Sequence, residues 1–122
     1  MYEDERDAAY NAACLMRERV RDPEGFRRAA QAFEAFGNYR YASWLATDCR
    51  KSALQLENNY RTAERLAAKK RYYEAVEKLD LCRGWEAADE LRKYCQEQAR
   101  AGKSRSNKGL FDDIIDEFKD LF

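Results

Sequence analysis

The sequence contains no histidine, only one proline and five glycines, and no excess of either charge. Lys plus Arg equal Asp plus Glu, at 23 each, so bulk charge gives no indication of nucleic acid or membrane binding. The scarcity of proline and glycine favours long helices over sandwiches or barrels, which need many turns. The sequence also contains no glycine-rich phosphate loop and no nucleophile beside an evident base, so no catalytic residues are predicted.

Long hydrophobic runs are also missing. The longest is Ala12–Met16, whereas a bilayer span needs about 20 apolar residues. The first residues, MYEDERDAAY, are acidic and have neither the basic start nor the apolar stretch of a secretory signal. We therefore expect a cytoplasmic protein with no membrane partner.

The four cysteines have no spacing typical of a zinc site or a redox pair, and no histidine could complete a mixed site. Each falls on an apolar helical position, where a free thiol serves as a small hydrophobic group. We expect reduced core thiols, no bound metal and no cofactor; the cysteines are Cys14, Cys49, Cys82 and Cys95.

The chain of 122 residues, a normal length for one domain, contains two matching stretches of equal length, 26–49 and 72–95. With a shift of 46, apolar or small residues meet at every matched position, and the residues between them differ freely. The matched pairs are Phe26/Tyr72, Ala29/Ala75, Ala30/Val76, Phe33/Leu79, Phe36/Cys82, Tyr39/Trp85, Ala42/Ala88, Leu45/Leu91 and Cys49/Cys95. A repeated apolar lattice with a variable exterior is typical of a repeated supersecondary unit.

The apolar positions of the lattice recur at helical spacing. In addition, "YNAACLM" at 10–16 resembles "YRTAERL" at 60–66, which predicts a further helix before each matching stretch and three helical parts in each unit. Asp22 before Pro23 predicts a helix start, and Gly37-Asn38 predicts a helix end and a new cap. We expect Ala30, Val76, Leu45 and Leu91 to be buried. The sequence predicts an all-α fold of stacked helical hairpins in two units, with helices at about 4–20, 23–36, 39–57, 59–70, 72–83 and 85–100.

Over residues 8–99 the pattern resembles degenerate tetratricopeptide-type repeats, in particular a loose bacterial form. The positions that carry this resemblance are Tyr73, Glu74-Ala75, Leu79, Gly84, Trp85, Ala88 and Cys95. The sequence departs from the standard pattern because its period is long and no proline closes each unit. The resemblance implies a scaffold that binds other proteins or peptides. Most of its aromatic residues are expected in the core, but Trp44 matches the surface-like Glu90, so Trp44 is predicted to be exposed and available to a partner.

Residues 101–109 are small, polar and basic and are predicted to form a flexible linker after a domain of residues 1–100. Residues 110–122 follow as an amphipathic helix with an acidic face. Its apolar face consists of Leu110, Phe111, Ile114, Ile115, Phe118, Leu121 and Phe122. A helix this short is marginal alone in water. It either caps the last unit, as terminal repeats require, or docks on a partner or another copy of the chain. The acidic face argues against a membrane surface.

A basic row, Arg61, Arg65 and Lys69, recurs every four residues on one predicted helix face. Three interpretations of this row remain open, in decreasing order of preference: a solvated face, a clamp for an acidic peptide or carboxylate, and a nucleic-acid contact. The sequence as a whole predicts a non-catalytic protein-interaction adaptor, with a small nucleic-acid binder and then an enzyme as alternatives.

Overall fold

A computed structural model describes residues 2–103, with side chains described from Asp4 onward. It contains five α-helices and one short 3₁₀ turn, and residues 2–103 form no strand. The helices are α1 (Tyr2–Arg19), α2 (Pro23–Glu34), α3 (Ala42–Ala68), α4 (Tyr72–Leu79) and α5 (Glu86–Arg100), with the 3₁₀ turn at Asp80–Cys82. The all-α prediction is confirmed. The predicted tail helix at 110–122 lies outside the described residues, as does most of the predicted linker.

The turn between α1 and α2 follows the predicted capping chemistry. The Asp22 carboxylate accepts a hydrogen bond of 3.0 Å from the Gly25 N–H, and Pro23 occupies the first helical position. Gly25 is buried in this turn, and a Cβ there would lie 2.4 Å from Asp22 Oδ1. The short connection allows α2 to pack against α1.

The predicted break between helices 39–57 and 59–70 is wrong, because α3 runs without interruption for 27 residues. Asn58-Asn59 lowers helix propensity only slightly, and neither glycine nor proline is present to stop the helix. The apolar face also continues through the predicted break, since Ala53, Leu56, Tyr60 and Ala63 follow at helical spacing and all pack inward. The described residues therefore form five α-helices where six were predicted.

Left-handed glycines reverse the chain before α3 and α5, as predicted. Gly37 has a φ of 61° and Gly84 a φ of 93°, values that residues with a Cβ rarely adopt. The prediction that Asn38 caps the next helix is wrong. The chain continues through turns, Arg40 is itself left-handed with a φ of 48°, and Tyr41 stands at the N-cap of α3 without a side-chain capping bond.

The buried side chains divide into two clusters, one around the first half of α3 and one around the second half. Helix α2 packs on the first half and carries α1, and α4 packs on the second half and carries α5. Four fully buried pairs lie 46 residues apart, one member in each cluster: Ala29/Ala75, Phe33/Leu79, Ala42/Ala88 and Cys49/Cys95. The apolar lattice read from the sequence therefore corresponds to real burial at these positions.

Other matched positions are less buried than predicted. Ala30 is fully buried, but Val76, Leu45 and Leu91 are only half-buried and pack at the edges of the clusters. Each of these three residues lies on the flank of its helix stripe, where the neighbouring helix covers only one side of the residue. The interior is instead filled by Phe33 and Leu79, the largest fully buried side chains.

Ion pairs connect α3 to the two helices before it. The Arg17 guanidinium of α1 lies 2.6 Å from the Asp48 carboxylate, and Arg27 of α2 pairs with Glu57. Burial of the charges is partial in both pairs, so each contributes about 1 kcal/mol or less. Two of the three carboxylates on α3 are consequently engaged on the side that faces α1 and α2.

Three of the four cysteines are buried, and burial raises the pKa values of the Cys49, Cys82 and Cys95 thiols. A raised pKa leaves less thiolate at neutral pH, and the thiolate is the form that reacts with alkylating agents. We expect iodoacetamide to modify the half-buried Cys14 first in the folded protein, and the other three only after denaturation. Mass spectrometry of peptides from native and denatured samples tests this. Fewer than four alkylated thiols in the denatured, unreduced protein would contradict the prediction of four reduced cysteines.

Candidate interaction surface

Exposed aromatic side chains gather at the start of α3. Tyr41 is 73% exposed and Trp44 is 64% exposed, and with the half-buried Leu45 they line an open apolar hollow of about 460 Å³. The left-handed turn at Arg40 places Tyr41 just before the helix, so that Trp44 follows three residues later on nearly the same side. The predicted exposure of Trp44 is confirmed.

The neighbouring aromatic residues, unlike Trp44, are used for packing. Tyr10 makes edge-on contacts with Phe33, Phe36 and Tyr39 at centroid distances of 5.6–5.9 Å. The Arg6 guanidinium lies 4.3 Å from the centre of the Tyr39 ring and closes the end of this cluster. These contacts fill the interior beside the start of α3 and leave Tyr41 and Trp44 outside it.

The predicted basic row lies on the second half of the same helix. Arg61, Arg65 and Lys69 are all exposed, and none makes an ion pair with any side chain from Asp4 to Lys103. A shallow depression lies here, lined by Arg61, Glu64, Arg65 and Ala68. Its basic side chains are free to meet an acidic ligand.

Because α3 is continuous, the Trp44 hollow and the basic row are two ends of one exposed face. At 100° per residue, an ideal helix places the exposed side chains of this face within an arc of about 100°. They are Trp44, Lys51, Leu54, Asn58, Arg61, Arg65 and Lys69. We call this the outer face of α3. Sequence reasoning missed Lys51 and Leu54 as members because it placed a helix break between them and the basic row.

A second depression lies where the two clusters meet. Phe26, Leu56 and the 62%-exposed Leu81 form its apolar part, and the polar part is formed by Ser52, Gln55, Asn58 and Asn59. Side-chain amides of this kind can bind a peptide backbone. No ion pair or strained residue marks this groove, so the Trp44 hollow, with its two exposed aromatic rings, is the stronger candidate.

The described part of the chain contains neither a candidate metal site nor a candidate membrane span. Among the side chains described, from Asp4 to Lys103, no three His, Cys, Asp or Glu residues come close enough together to hold a metal ion. No helix in this range is long and apolar enough to cross a membrane. The predicted tail residues, from Leu110 to Phe122, lie outside the described part, so the structure neither joins them to α3 nor separates them from it.

Comparison with protein-family models, with curated proteins and with solved structures gives no match to this chain.

Proposed function

We propose that this chain is a non-catalytic protein-interaction adaptor built from two tetratricopeptide-like units. In this arrangement each unit has three helical parts. The first half of α3 is the last part of unit one, and the second half is the first part of unit two. The long helix α3 then connects the two units rigidly and presents one outer face across both.

Equivalent contacts in the two clusters support the repeat arrangement. Tyr10 and Tyr60 are 50 residues apart, and each contacts the aromatic residue that precedes the last helix of its unit. The centroid distance is 5.6 Å for Tyr10 with Tyr39 and 4.8 Å for Tyr60 with Trp85. Solenoids generally need three or more units for stability, and this arrangement has two. The shared helix compensates, because it adds a covalent, hydrogen-bonded connection between the two cores.

The Trp44 hollow is the observation on which the adaptor function rests. Large exposed apolar surfaces are uncommon on monomers and mark interaction sites, and tryptophan and tyrosine are enriched among the residues that dominate binding energy. The hollow is open and is lined by only three residues, Tyr41, Trp44 and Leu45, which suits one side chain of a protein partner. A small-molecule site would enclose most of its ligand.

The alternative, nucleic-acid binding, is favoured by one feature, the basic outer face. Lys51, Arg61, Arg65 and Lys69 extend over about 27 Å of helix, long enough to contact several phosphates. The formal net charge of the chain is zero, which disfavours such a role. Retention on a polyanion resin that falls steeply with salt, and is lost in Arg61→Glu/Arg65→Glu, would favour this alternative over the adaptor.

We expect the substitution Trp44→Ser to abolish capture of a partner from extracts of cells that naturally express the chain. Loss of a central aromatic anchor costs about 2 kcal/mol or more, which is roughly a thirtyfold loss of affinity. Quantitative mass spectrometry of captured proteins, with the intact chain as bait, measures the loss. The matched control is Tyr73→Ser, which removes an aromatic ring that is 54% exposed on α4 and far from the hollow.

Two further baits separate the repeat surface from the tail. One carries Ile115→Ser and Phe118→Ser in the tail, and the other ends at Gly102. A partner lost only with these two baits binds the tail. Identical captured sets from wild type, Trp44→Ser and both tail baits would contradict the proposed adaptor surfaces.

A further inference from the structure

We propose that residues 110–122 of the same chain bind along the second half of the outer face of α3, from Asn58 to Lys69. This inference goes beyond the adaptor function, because it assigns an occupant to one part of the surface. It leaves the Trp44 hollow at the other end of α3 open to a partner.

The lengths of the two segments correspond. Asn58 and Lys69 are separated by about 17 Å along the axis of α3, at 1.5 Å per residue. Residues 110–122 span about 20 Å as a helix. The proposed occupant therefore covers this part of the outer face from end to end, with no long overhang.

The last described residues lie near the C-terminal end of α3, where the proposed binding region begins. The Tyr94 ring of α5 lies 6.1 Å from the ring of Tyr72 in the first turn of α4, and α5 continues past this contact to Arg100. Helices α3 and α4 are joined by only three residues, so the end of α3 lies close by. Seven residue steps lead from Lys103 to Leu110 and span about 13–16 Å on average and about 25 Å at full extension. The tail can therefore start near Lys69 and run antiparallel to α3.

The charges of the two segments are complementary in sign and in spacing. Arg61, Arg65 and Lys69 recur every four residues, and so do the tail carboxylates Asp112, Asp116 and Asp120. In the antiparallel direction Lys69 meets Asp112, Arg65 meets Asp116 and Arg61 meets Asp120.

Little negative charge on α3 competes with the tail. Glu57 is paired with Arg27 on the other side of the helix, and Asp48 is paired with Arg17. Glu64 alone lies at the border of the basic row, where it lines the same depression as Arg61 and Arg65. The basic groups on this half of the outer face exceed the acidic ones by three to one.

Apolar contact supplies most of the affinity, because exposed ion pairs contribute little. This part of the outer face offers the Ala68 methyl group and the aliphatic stems of Arg61 and Arg65. The tail offers Phe111, Ile115 and Phe118 on its apolar side. A short linker raises the effective concentration of the tail to the millimolar range, so weak contacts suffice within one chain.

Zero-length cross-linking of the purified intact chain with a carbodiimide tests the proposal, because it joins only a lysine and a carboxylate that touch. We expect a cross-link within one chain between Lys69 and Asp112 or Asp113, at a yield that does not fall on dilution. Lys93, an exposed lysine on α5, is the internal control and should not join to the tail. Cross-links only between copies, or none from Lys69, would overturn the proposal.

Amide exchange with matched charge variants tests the register independently. We expect slowed exchange over 110–122, weakened roughly fivefold to tenfold in Arg61→Glu/Arg65→Glu and abolished in Phe111→Ser/Ile115→Ser/Phe118→Ser. The control Lys93→Glu should leave exchange unchanged. Combining Arg61→Glu/Arg65→Glu with Asp116→Lys/Asp120→Lys should restore the protection, and the restored variant also excludes simple misfolding. Exchange at the rate of a free peptide in the wild type, or failure of the combined variant to recover, contradicts docking on this face.

Discussion

Replacing Phe33 by alanine is expected to lower the free energy of unfolding by about 3–5 kcal/mol. Phe33 is fully buried, and its ring lies 5.9 Å from that of Tyr10 in an edge-on contact. Its removal leaves a cavity among α1, α2 and α3, whose backbones cannot collapse far because the neighbouring positions are already alanines. A domain of this size is stable by about 5–15 kcal/mol, so the loss is a large fraction of the total.

Urea unfolding followed by circular dichroism measures the effect. The matched control is Tyr73→Ala, which removes an exposed aromatic ring and should change stability by no more than about 0.5 kcal/mol. Leu79→Ala, at the equivalent position of the second cluster, should cost about 2–5 kcal/mol. If the Phe33→Ala protein were as stable as the Tyr73→Ala protein, Phe33 could not be the centre of the first core.

The second large effect is expected for Asn58→Pro, in the middle of α3. A proline inside a helix removes one backbone hydrogen bond and clashes with the preceding turn, at a cost of about 3 kcal/mol or more. In this protein the substitution should destabilise both core clusters, because both are packed on the one continuous helix. Loss of helical signal together with a lower unfolding midpoint is the expected result.

The control Asn58→Ala separates the effect of proline on the helix backbone from the effect of losing the asparagine side chain. Asn58 is exposed, and alanine is the better helix former, so this variant should be unchanged or more stable by up to about 0.7 kcal/mol. A helix that began at residue 58 or 59, as the sequence pattern predicted, would accept a proline in its first turn at little cost. Equal stability of the proline and alanine variants would therefore support the broken helix and contradict the continuous one.

The helical class and the main buried positions were predictable because apolar spacing and capping are local signals. Asp22 with Pro23 gave a correct helix start, and Gly37 and Gly84 marked correct chain reversals. The 46-residue match found Phe33 and Leu79, whose burial depends on the stripe of their own helices.

The predictions that are wrong concern features that depend on how neighbouring helices pack against each other. No local signal could show that α3 continues through Asn58-Asn59, because the choice depends on whether packing on both sides outweighs a small loss of propensity. The partial exposure of Leu45 and Leu91 was missed for a similar reason, since it depends on how far an adjacent helix covers each flank.

The candidate surface was partly predictable. Trp44 was identified because its partner in the repeat, Glu90, is a surface-type residue, and the basic row was identified from its spacing. The hollow itself was not predictable, because it requires Tyr41 to follow a left-handed Arg40 at the start of the helix. The full extent of the outer face was not predictable either, because Lys51 and Leu54 lie on the same face as the basic row only when α3 is continuous.

Site-specific photocross-linking in living cells tests the adaptor function most directly. A benzophenone amino acid replaces Trp44 in the intact chain, expressed in cells that naturally contain the protein, and in the control it replaces Gln31, an exposed residue of α2. Because the probe is itself a large aromatic group, it preserves the apolar character of the hollow. We expect one or a few discrete protein adducts from position 44 on irradiation and none of these from position 31. No adduct from position 44, or the same adducts from both positions, would contradict the assignment of this hollow as a protein-binding surface.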